Sequence, residues 1–193
     1  MLSKINQLLK KIDDLKLQVQ LEYELLMERY DFEIQNRKIV FSEKAKELQK
    51  RAKEGVFHYL LSAEIRHLLS APFIYAMIVP AIILDLFLTG YQHTAFRLYG
   101  IERVRRRDHI VFDRKYLGYL NSIEKFNCLY CSYVNGLFSY ATEIGGRTER
   151  YWCPIKYARR LEQTHRHYAE FADFGDAEGF RERYAEKGVD KMR

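Results

Sequence analysis

One apolar stretch, from Leu68 to Tyr91, limits what this chain can fold into more than any other feature. A helix that crosses a bilayer needs about 20 mostly apolar residues. The stretch has that length, with Asp85 as its only formal charge. Pro72 and Pro80 would interrupt a helix in a water-soluble protein, but membrane helices tolerate proline. The sequence therefore predicts a hydrophobic membrane segment within residues 67–100, with the lipid bilayer as a partner.

Three arrangements of this segment fit the sequence. A single membrane span would place the basic cluster that follows it, Arg103 and Arg105–Arg107, in the cytosol under the positive-inside rule. A re-entrant hairpin bent near Pro80 would leave both ends cytosolic, and it would avoid exporting the highly charged N-terminal segment. The third arrangement is a buried helix in a soluble oligomer. The span and the hairpin both remain open at this point.

The net charge of +6 and the isoelectric point near 9.1 suit a partner that is either nucleic acid or anionic lipid. Because the arginines directly follow the apolar stretch, we favour lipid head groups and do not expect nucleic acid. Asp85 would be costly at membrane depth, where an ionisable group is a functional candidate by default. It lies close to the end of the stretch, so we expect it near the interface, paired with His93 or Arg97.

The N-terminal segment, residues 1–66, has the pattern of a coiled coil. It contains no proline, and its first glycine is Gly55. Apolar residues recur at alternating three- and four-residue steps, with stutters, first at Ile5, Leu8, Ile12, Leu15 and Val19 and then at Tyr23, Leu26 and Tyr30. We predict one long helix from Ser3 to about Arg66, or two with a break near Gly55. Its seam joins a second copy or a partner helix, or it packs on its own chain.

The sequence predicts that residues 101–193 form a helical domain on the cytosolic side. One helix is expected over 113 to about 142 or beyond, with Asp113 as its N-cap. The dipeptide Cys153-Pro154 indicates the start of a second helix over 155 to about 171, because proline is favoured at the first helical position. A short peripheral helix is expected after Gly175. The predicted fold class is therefore all-α.

Three cysteines form the one constellation that suggests chemistry. Cys128 and Cys131 form a C-x2-C pair on the predicted helix, and Cys153 follows after a turn. Three thiolates with a fourth ligand suit zinc or iron. The candidates for that fourth ligand are Glu124, His165 and His167.

Other uses of these residues remain open. The thiols are reduced in a cytosolic setting, and they are equally compatible with packing as small apolar groups in an interaction or scaffold protein. A reactive Cys153, its pKa lowered at a helix N-terminus, is a further alternative. Glu124 is an acid or base if the chain is an enzyme, which the sequence does not decide. Glu143 and Arg147, four residues apart, predict an ion pair in preference to a further carboxylate at the metal.

Three motifs are distinctive, namely A-P-F-I-Y from Ala71, E-K-F-N-C-L-Y-C-S-Y-V-N-G from Glu124 and Y-W-C-P-I-K from Tyr151. On these motifs the chain resembles, over roughly residues 60–180, a family of small bacterial proteins to which no biochemical function is assigned. The resemblance implies a membrane-associated bacterial protein, which we place at the inner membrane with residues 101–193 facing the cytoplasm. Members carry a histidine after the Pro-Ile-Lys tripeptide, where this chain has Tyr157. If that histidine is a metal ligand in the family, this chain lacks it.

Overall fold

The computed structural model describes residues 2–186, and it confirms the all-α class with one small addition. The helices are α1 (Leu2–Tyr30), α2 (Glu43–Arg51), α3 (Val56–Ser62), α4 (Ile65–Ala76), α5 (Ile78–Tyr91), α6 (Ser122–Trp152) and α7 (Ala177–Glu186). Two strands, β1 (Phe32–Gln35) and β2 (Lys38–Phe41), form an antiparallel pair.

The chain divides into two compact units, and each combines separate stretches of sequence. The first comprises the chain up to Ala63 together with Asp113–Leu129. The second comprises Glu64–Phe112 and the chain from Tyr130 onward. The predicted segments 1–66, 67–100 and 101–193 follow changes in composition, and the compact units join pieces of them.

The prediction of a continuous helix from Ser3 to Arg66 is wrong, because a β-hairpin interrupts it after Tyr30. The alternative break near Gly55 is present between α2 and α3. Phe32 pairs with Phe41 across the two strands, and their ring centroids lie 5.6 Å apart. Asn36 and Arg37 connect the strands with φ values of 49° and 66°. Two consecutive positive φ values are typical of a type I′ turn, whose twist matches that of the paired strands.

The predicted start of the long C-terminal helix at Asp113 is also wrong. Asp113 precedes a short 3₁₀ turn, Arg114–Tyr116, and α6 begins only at Ser122. The helix then continues to Trp152, which agrees with the predicted end at about Thr142 or beyond. Continuous α-helix over this length extends about 45 Å.

The helix predicted over 155 to about 171 is absent from the described structure. After Cys153 the chain turns through the buried Pro154, and Ile155 forms a parallel bridge with Ala172. The Ala172 amide donates to the Pro154 carbonyl at 2.9 Å, and the Lys156 amide donates to the Ala172 carbonyl at 2.8 Å. Pairing with a distant stretch thus replaces helical hydrogen bonds here. The expected short helix after Gly175 is confirmed as α7.

The apolar stretch forms one helical rod, Ile65–Phe96, rather than a hairpin. Met77 joins α4 to α5 with φ −64° and ψ −11°, which keeps the backbone helical. Pro80 lacks the N–H that would bond to the carbonyl of Ala76, which accounts for the irregularity one turn before it. The last turn, Gln92–Phe96, is π-helical.

In the second unit, the part of α6 from Tyr130 onward lies beside this rod and runs in the same direction. Rings of Tyr75 and Tyr130 meet near the start of the rod, and Tyr91 and Thr148 form a 3.1 Å hydrogen bond near its end. Residues buried along this contact form the core, namely Ala81, Phe96, Val104, Ile110, Leu137, Tyr140 and Ile144.

The segment between Arg97 and Phe112 runs back along the two parallel helices. Arg106 contacts Asp85, and further along the His109 ring bonds to Ser139 at 2.9 Å. At Gly136 the segment touches α6 so closely that a Cβ would lie 2.8 Å from a backbone oxygen and from the Cα of Ile110. Glycine at this position therefore permits the contact.

Candidate functional site

The structure separates the cysteines that were predicted to share a metal ion. Cys128 and Cys131 lie one turn apart on α6, whereas Cys153 lies just beyond the end of that helix. At 1.5 Å per residue, Cys131 and Cys153 are about 33 Å apart along α6. One ion cannot be bound by both. Within residues 2–186, no group of three or more His, Cys, Asp or Glu side chains is placed to hold a metal. The predicted zinc or iron cofactor itself stays a prediction, without the ligand set that included Cys153.

Glu124, predicted as a ligand or an acid–base group, caps the start of α6. The Asn121 side-chain oxygen accepts hydrogen bonds from the amides of Ile123 and Glu124, both at 3.0 Å. The Glu124 carboxylate in turn accepts from the Asn121 amide at 2.8 Å. This reciprocal pair is a capping box, which satisfies amides that the first turn of a helix leaves without partners. Glu124 is therefore engaged in capping α6.

Cys153 has the opposite character to the reactive thiol that was considered from sequence. It lies directly after the C-terminal end of α6, and its amide still donates to the Glu149 carbonyl at 2.8 Å, as in a last helical turn. Partial burial and the nearby Glu149 carboxylate raise the pKa of its thiol. The expected N-terminal helix position and lowered pKa are therefore both wrong, and the thiolate is disfavoured near neutral pH.

His165, the remaining predicted ligand, packs beside the last turns of α6. Its Nε2 lies 2.9 Å from a Glu149 carboxylate oxygen, and its Nδ1 is buried without a hydrogen-bond partner in the described structure. A Cβ at Gly146 would lie 2.7 Å from the imidazole ring. Gly146 therefore makes room for the ring against the helix backbone.

A buried carboxylate, Glu143, is the centre of an ionic cluster in the same region. Arg147 Nε donates to it at 2.8 Å, which confirms the predicted ion pair. Arg166 also donates to the carboxylate, and His167 Nε2 lies 3.2 Å away. Burial raises the pKa of Glu143, but the hydrogen bonds from these three groups outweigh it and lower the pKa to about 2. The sequence had offered His167 as a metal ligand, and the structure places it on Glu143.

A second ionic group lies on the rod itself. Asp85 accepts hydrogen bonds from Arg106 and, at 2.9 Å, from the Tyr133 hydroxyl on α6. The predicted partners, His93 and Arg97, are therefore wrong. They follow Asp85 on the same helix, whereas the actual partners come from the returning segment and from α6. The charge-assisted hydrogen bond from Arg106 replaces hydrogen bonds that the Asp85 carboxylate would otherwise form with water.

Two turns further on, Gln92 fixes the returning segment to both helices. Its side-chain oxygen accepts from the Val104 amide at 3.0 Å, and its amide nitrogen donates to the Tyr140 hydroxyl. All three residues are buried. They form the floor of a cleft of about 430 Å³, which is lined by Thr89, Gln92, His93, Glu102, Arg103, Val104, Arg105, Arg106 and Tyr140.

The other sides of the rod form an exposed apolar band. Only 11% of its most hydrophobic window is buried in the structure, and Phe73 and Phe87 are 79% and 75% exposed. The band runs from Leu68 to Phe87, about 30 Å along the helix, which matches the hydrocarbon thickness of a bilayer. This is the helix in the described chain that is long and apolar enough to cross a membrane, by length and composition.

Aromatic rings gather beyond the far end of this band. Tyr99, Tyr151 and Trp152 contact one another with ring centroids 5.1 to 5.2 Å apart. Tyrosine and tryptophan are enriched at membrane–water interfaces, because one end of each ring is apolar and the other is polar.

The chain matches no protein-family model, no curated protein and no solved structure.

Proposed function

We propose that this is a membrane-anchored helical protein whose rod Ile65–Phe96 lies in the lipid bilayer. The exposed apolar band is the observation that carries the proposal. A soluble monomer rarely exposes a continuous apolar surface of this extent, because contact between apolar side chains and water is energetically unfavourable. The uninterrupted course of the helix from Ile65 to Phe96 supports a span over a hairpin, and the arginines after it support placing that end at the cytoplasmic face of a bacterial inner membrane.

Membrane fractionation of cells expressing the full chain tests this proposal. The protein should pellet with membranes and resist extraction by high salt and by alkaline carbonate. Val79→Asp places a charge near the middle of the band, which costs about 3 kcal/mol at a membrane centre, and should lower the resistant fraction. Thr142→Asp, at an exposed position on α6, is the matched control and should behave like the unaltered protein. Complete release by salt alone would contradict the proposal.

A second candidate function, helix recruitment, is favoured by the exposed seam of α1. Leu8, Leu15 and Tyr23 are all more than half exposed, so within the described chain the seam is not covered. Branched residues alternate with leucine along it, as in two-stranded parallel coiled coils. A second copy would set Lys11 of one helix against Lys16 of the other. We therefore propose a partner helix with acidic residues beside its apolar seam.

Two synthetic heptad peptides test this candidate function on the full-length protein in detergent. The peptides share one apolar seam and carry glutamate or lysine at the flanking positions. The glutamate peptide should bind and the lysine peptide should not. Leu15→Asp should abolish binding, whereas Leu17→Asp, on the outer face of α1, should preserve it. Equal binding of both peptides, or stable self-association through the seam, would contradict an acidic partner.

A further inference from the structure

We propose that the cleft floored by Gln92, Val104 and Tyr140 binds the phosphate of an anionic phospholipid head group. The inference rests on the proposed membrane anchoring and identifies a specific lipid contact within it. Its basis is the combination of a formed cleft, uncompensated positive charge and a position at the end of the apolar band.

The positive charge of the cleft is not neutralised by the protein. Arg103 and Arg105 line it, and between positions 2 and 186 neither guanidinium group forms an ion pair or a hydrogen bond, although the Arg105 backbone carbonyl accepts from the Asp108 amide. Glu102, the one carboxylate in the lining, has Arg147 Nη1 3.7 Å from its side chain, and Arg147 also donates to its backbone carbonyl. Arg106 is paired with Asp85. Two guanidinium groups therefore remain available for an anion.

The cleft is held open by buried contacts before any ligand arrives. Gln92 joins the rod to both the returning segment and α6, and the Val104 amide is part of that connection. Val104 is buried while its two neighbours are exposed, which directs Arg103 and Arg105 away from the core. A site whose backbone is fixed in advance loses less conformational freedom on binding.

Other polar side chains complete the lining. Among them is His93, whose Nδ1 donates to the Thr89 carbonyl at 2.7 Å and so holds the ring in place. Arginine recognises phosphate through paired N–H groups, and this geometry favours it over lysine for such contacts. The volume of about 430 Å³ falls within the usual range of small-ligand clefts.

The position of the cleft selects a lipid rather than a soluble phosphate. Thr89, Gln92 and His93 follow Phe87, the last strongly exposed residue of the apolar band, by two to six positions. At 1.5 Å per residue these groups lie within about 10 Å of the end of the band, at the depth of the head groups. Acyl chains attached to a phosphate in the cleft would lie along the band.

Lipid binding is measured on the purified full-length protein in a neutral detergent by native mass spectrometry. Phosphatidylglycerol and phosphatidylcholine of equal chain length are the probes, and glycerol phosphate is the soluble one. We expect one phosphatidylglycerol bound in preference to phosphatidylcholine. The double variant Arg103→Gln/Arg105→Gln should bind it about 30-fold more weakly. The matched control, Arg159→Gln/Arg160→Gln, removes the same charge from an exposed segment and should bind normally.

Each other outcome overturns the inference. Equal binding of the two lipids would mean no charge selection, and equal weakening in the control variant would mean diffuse surface attraction. Glycerol phosphate that binds as tightly as the lipid would reassign the cleft to soluble phosphates. A protein that resists carbonate extraction but shows no lipid preference would fail this inference alone, whereas a protein released by carbonate would fail the membrane proposal.

Discussion

At the scale of single residues, Gly136 and Gly145 on α6 provide the sharpest test, because one is tightly packed and the other has open space around it. A methyl group at Gly136 would meet the backbone of His109 and Ile110, which cannot move as a flexible side chain does. Gly136→Ala should therefore lower the free energy of unfolding by about 1 to 3 kcal/mol. Gly145 has open space around its Cβ position, so Gly145→Ala should stabilise the helix by up to about 1 kcal/mol. Thermal unfolding followed by circular dichroism compares the two. Equal effects would mean that the segment does not pack at Gly136.

The carboxylate of Glu143 should make stability depend on pH. Its pKa falls from the ordinary 4.5 to about 2 in the folded protein, so the unfolded chain binds its proton more readily. The stabilisation is fully present above about pH 5 and is lost as the pH falls toward 2, amounting to roughly 3 kcal/mol. Glu143→Gln should remove this part of the pH dependence and destabilise the protein at neutral pH.

Denaturant unfolding at several pH values measures this effect. Glu178→Gln, at an exposed carboxylate on α7, is the control and should leave the slope of the unfolding free energy against pH unchanged. An unaltered slope in the Glu143 variant would show that Arg147, Arg166 and His167 do not stabilise the charged carboxylate.

At the scale of elements, the capping box predicts how α6 responds to changes at its start. Asn121→Ala should cost about 1 kcal/mol of unfolding free energy, because two amides of the first turn lose their acceptor. Glu124→Gln should cost little, since glutamine accepts the same hydrogen bond, and Glu124→Ala should cost more. Chemical denaturation measures all three. If Glu124→Gln proved as harmful as Glu124→Ala, the charge of Glu124 would have a role beyond capping.

How much of each element could be predicted depends on whether its cause lies nearby in the sequence. The apolar rod and the Glu143–Arg147 pair depend on local spacing, and the sequence predicted both. The hairpin had a period-two pattern in Phe32 and Ile34, but its turn lacks the glycine that usually marks one. The hairpin residues were therefore predicted as part of the long helix.

The candidate site was less predictable because its partners are distant in sequence. Arg106 reaches Asp85 across 21 positions, and Arg166 reaches Glu143 across 23, through segments without helical periodicity. The thiol prediction failed for a simpler reason. We expected a turn before Cys153 that would return it to the other two thiols, whereas α6 continues to Trp152, and the ten helical residues after Thr142 carry Cys153 about 15 Å further away. Asn121 and Glu124 had the spacing of a capping box, a signal that sequence reasoning missed.

For the whole molecule, the parallel direction of the rod and α6 is the feature most open to test. In a variant without native cysteines, a short bis-maleimide should link the pair Tyr75→Cys and Tyr130→Cys, and also the pair Tyr91→Cys and Thr148→Cys. The pair Tyr75→Cys and Thr148→Cys lies at opposite ends of the contact and should stay unlinked. Electrophoresis after cleavage between the helices scores each pair. A reversed pattern would mean antiparallel helices.

The two polar contacts between these helices repeat at the same interval on both partners. Asp85 and Gln92 are seven residues apart, and so are Tyr133 and Tyr140, which they bind. A slide of α6 by seven residues would therefore set a tyrosine hydroxyl opposite one of the same two groups again, so these hydrogen bonds alone do not define a single alignment. The same slide would replace Gly136 by Leu129 or Glu143 against the backbone of the returning segment. Only one alignment places a residue without a side chain against that backbone, so Gly136 fixes the register of the contact between the two helices.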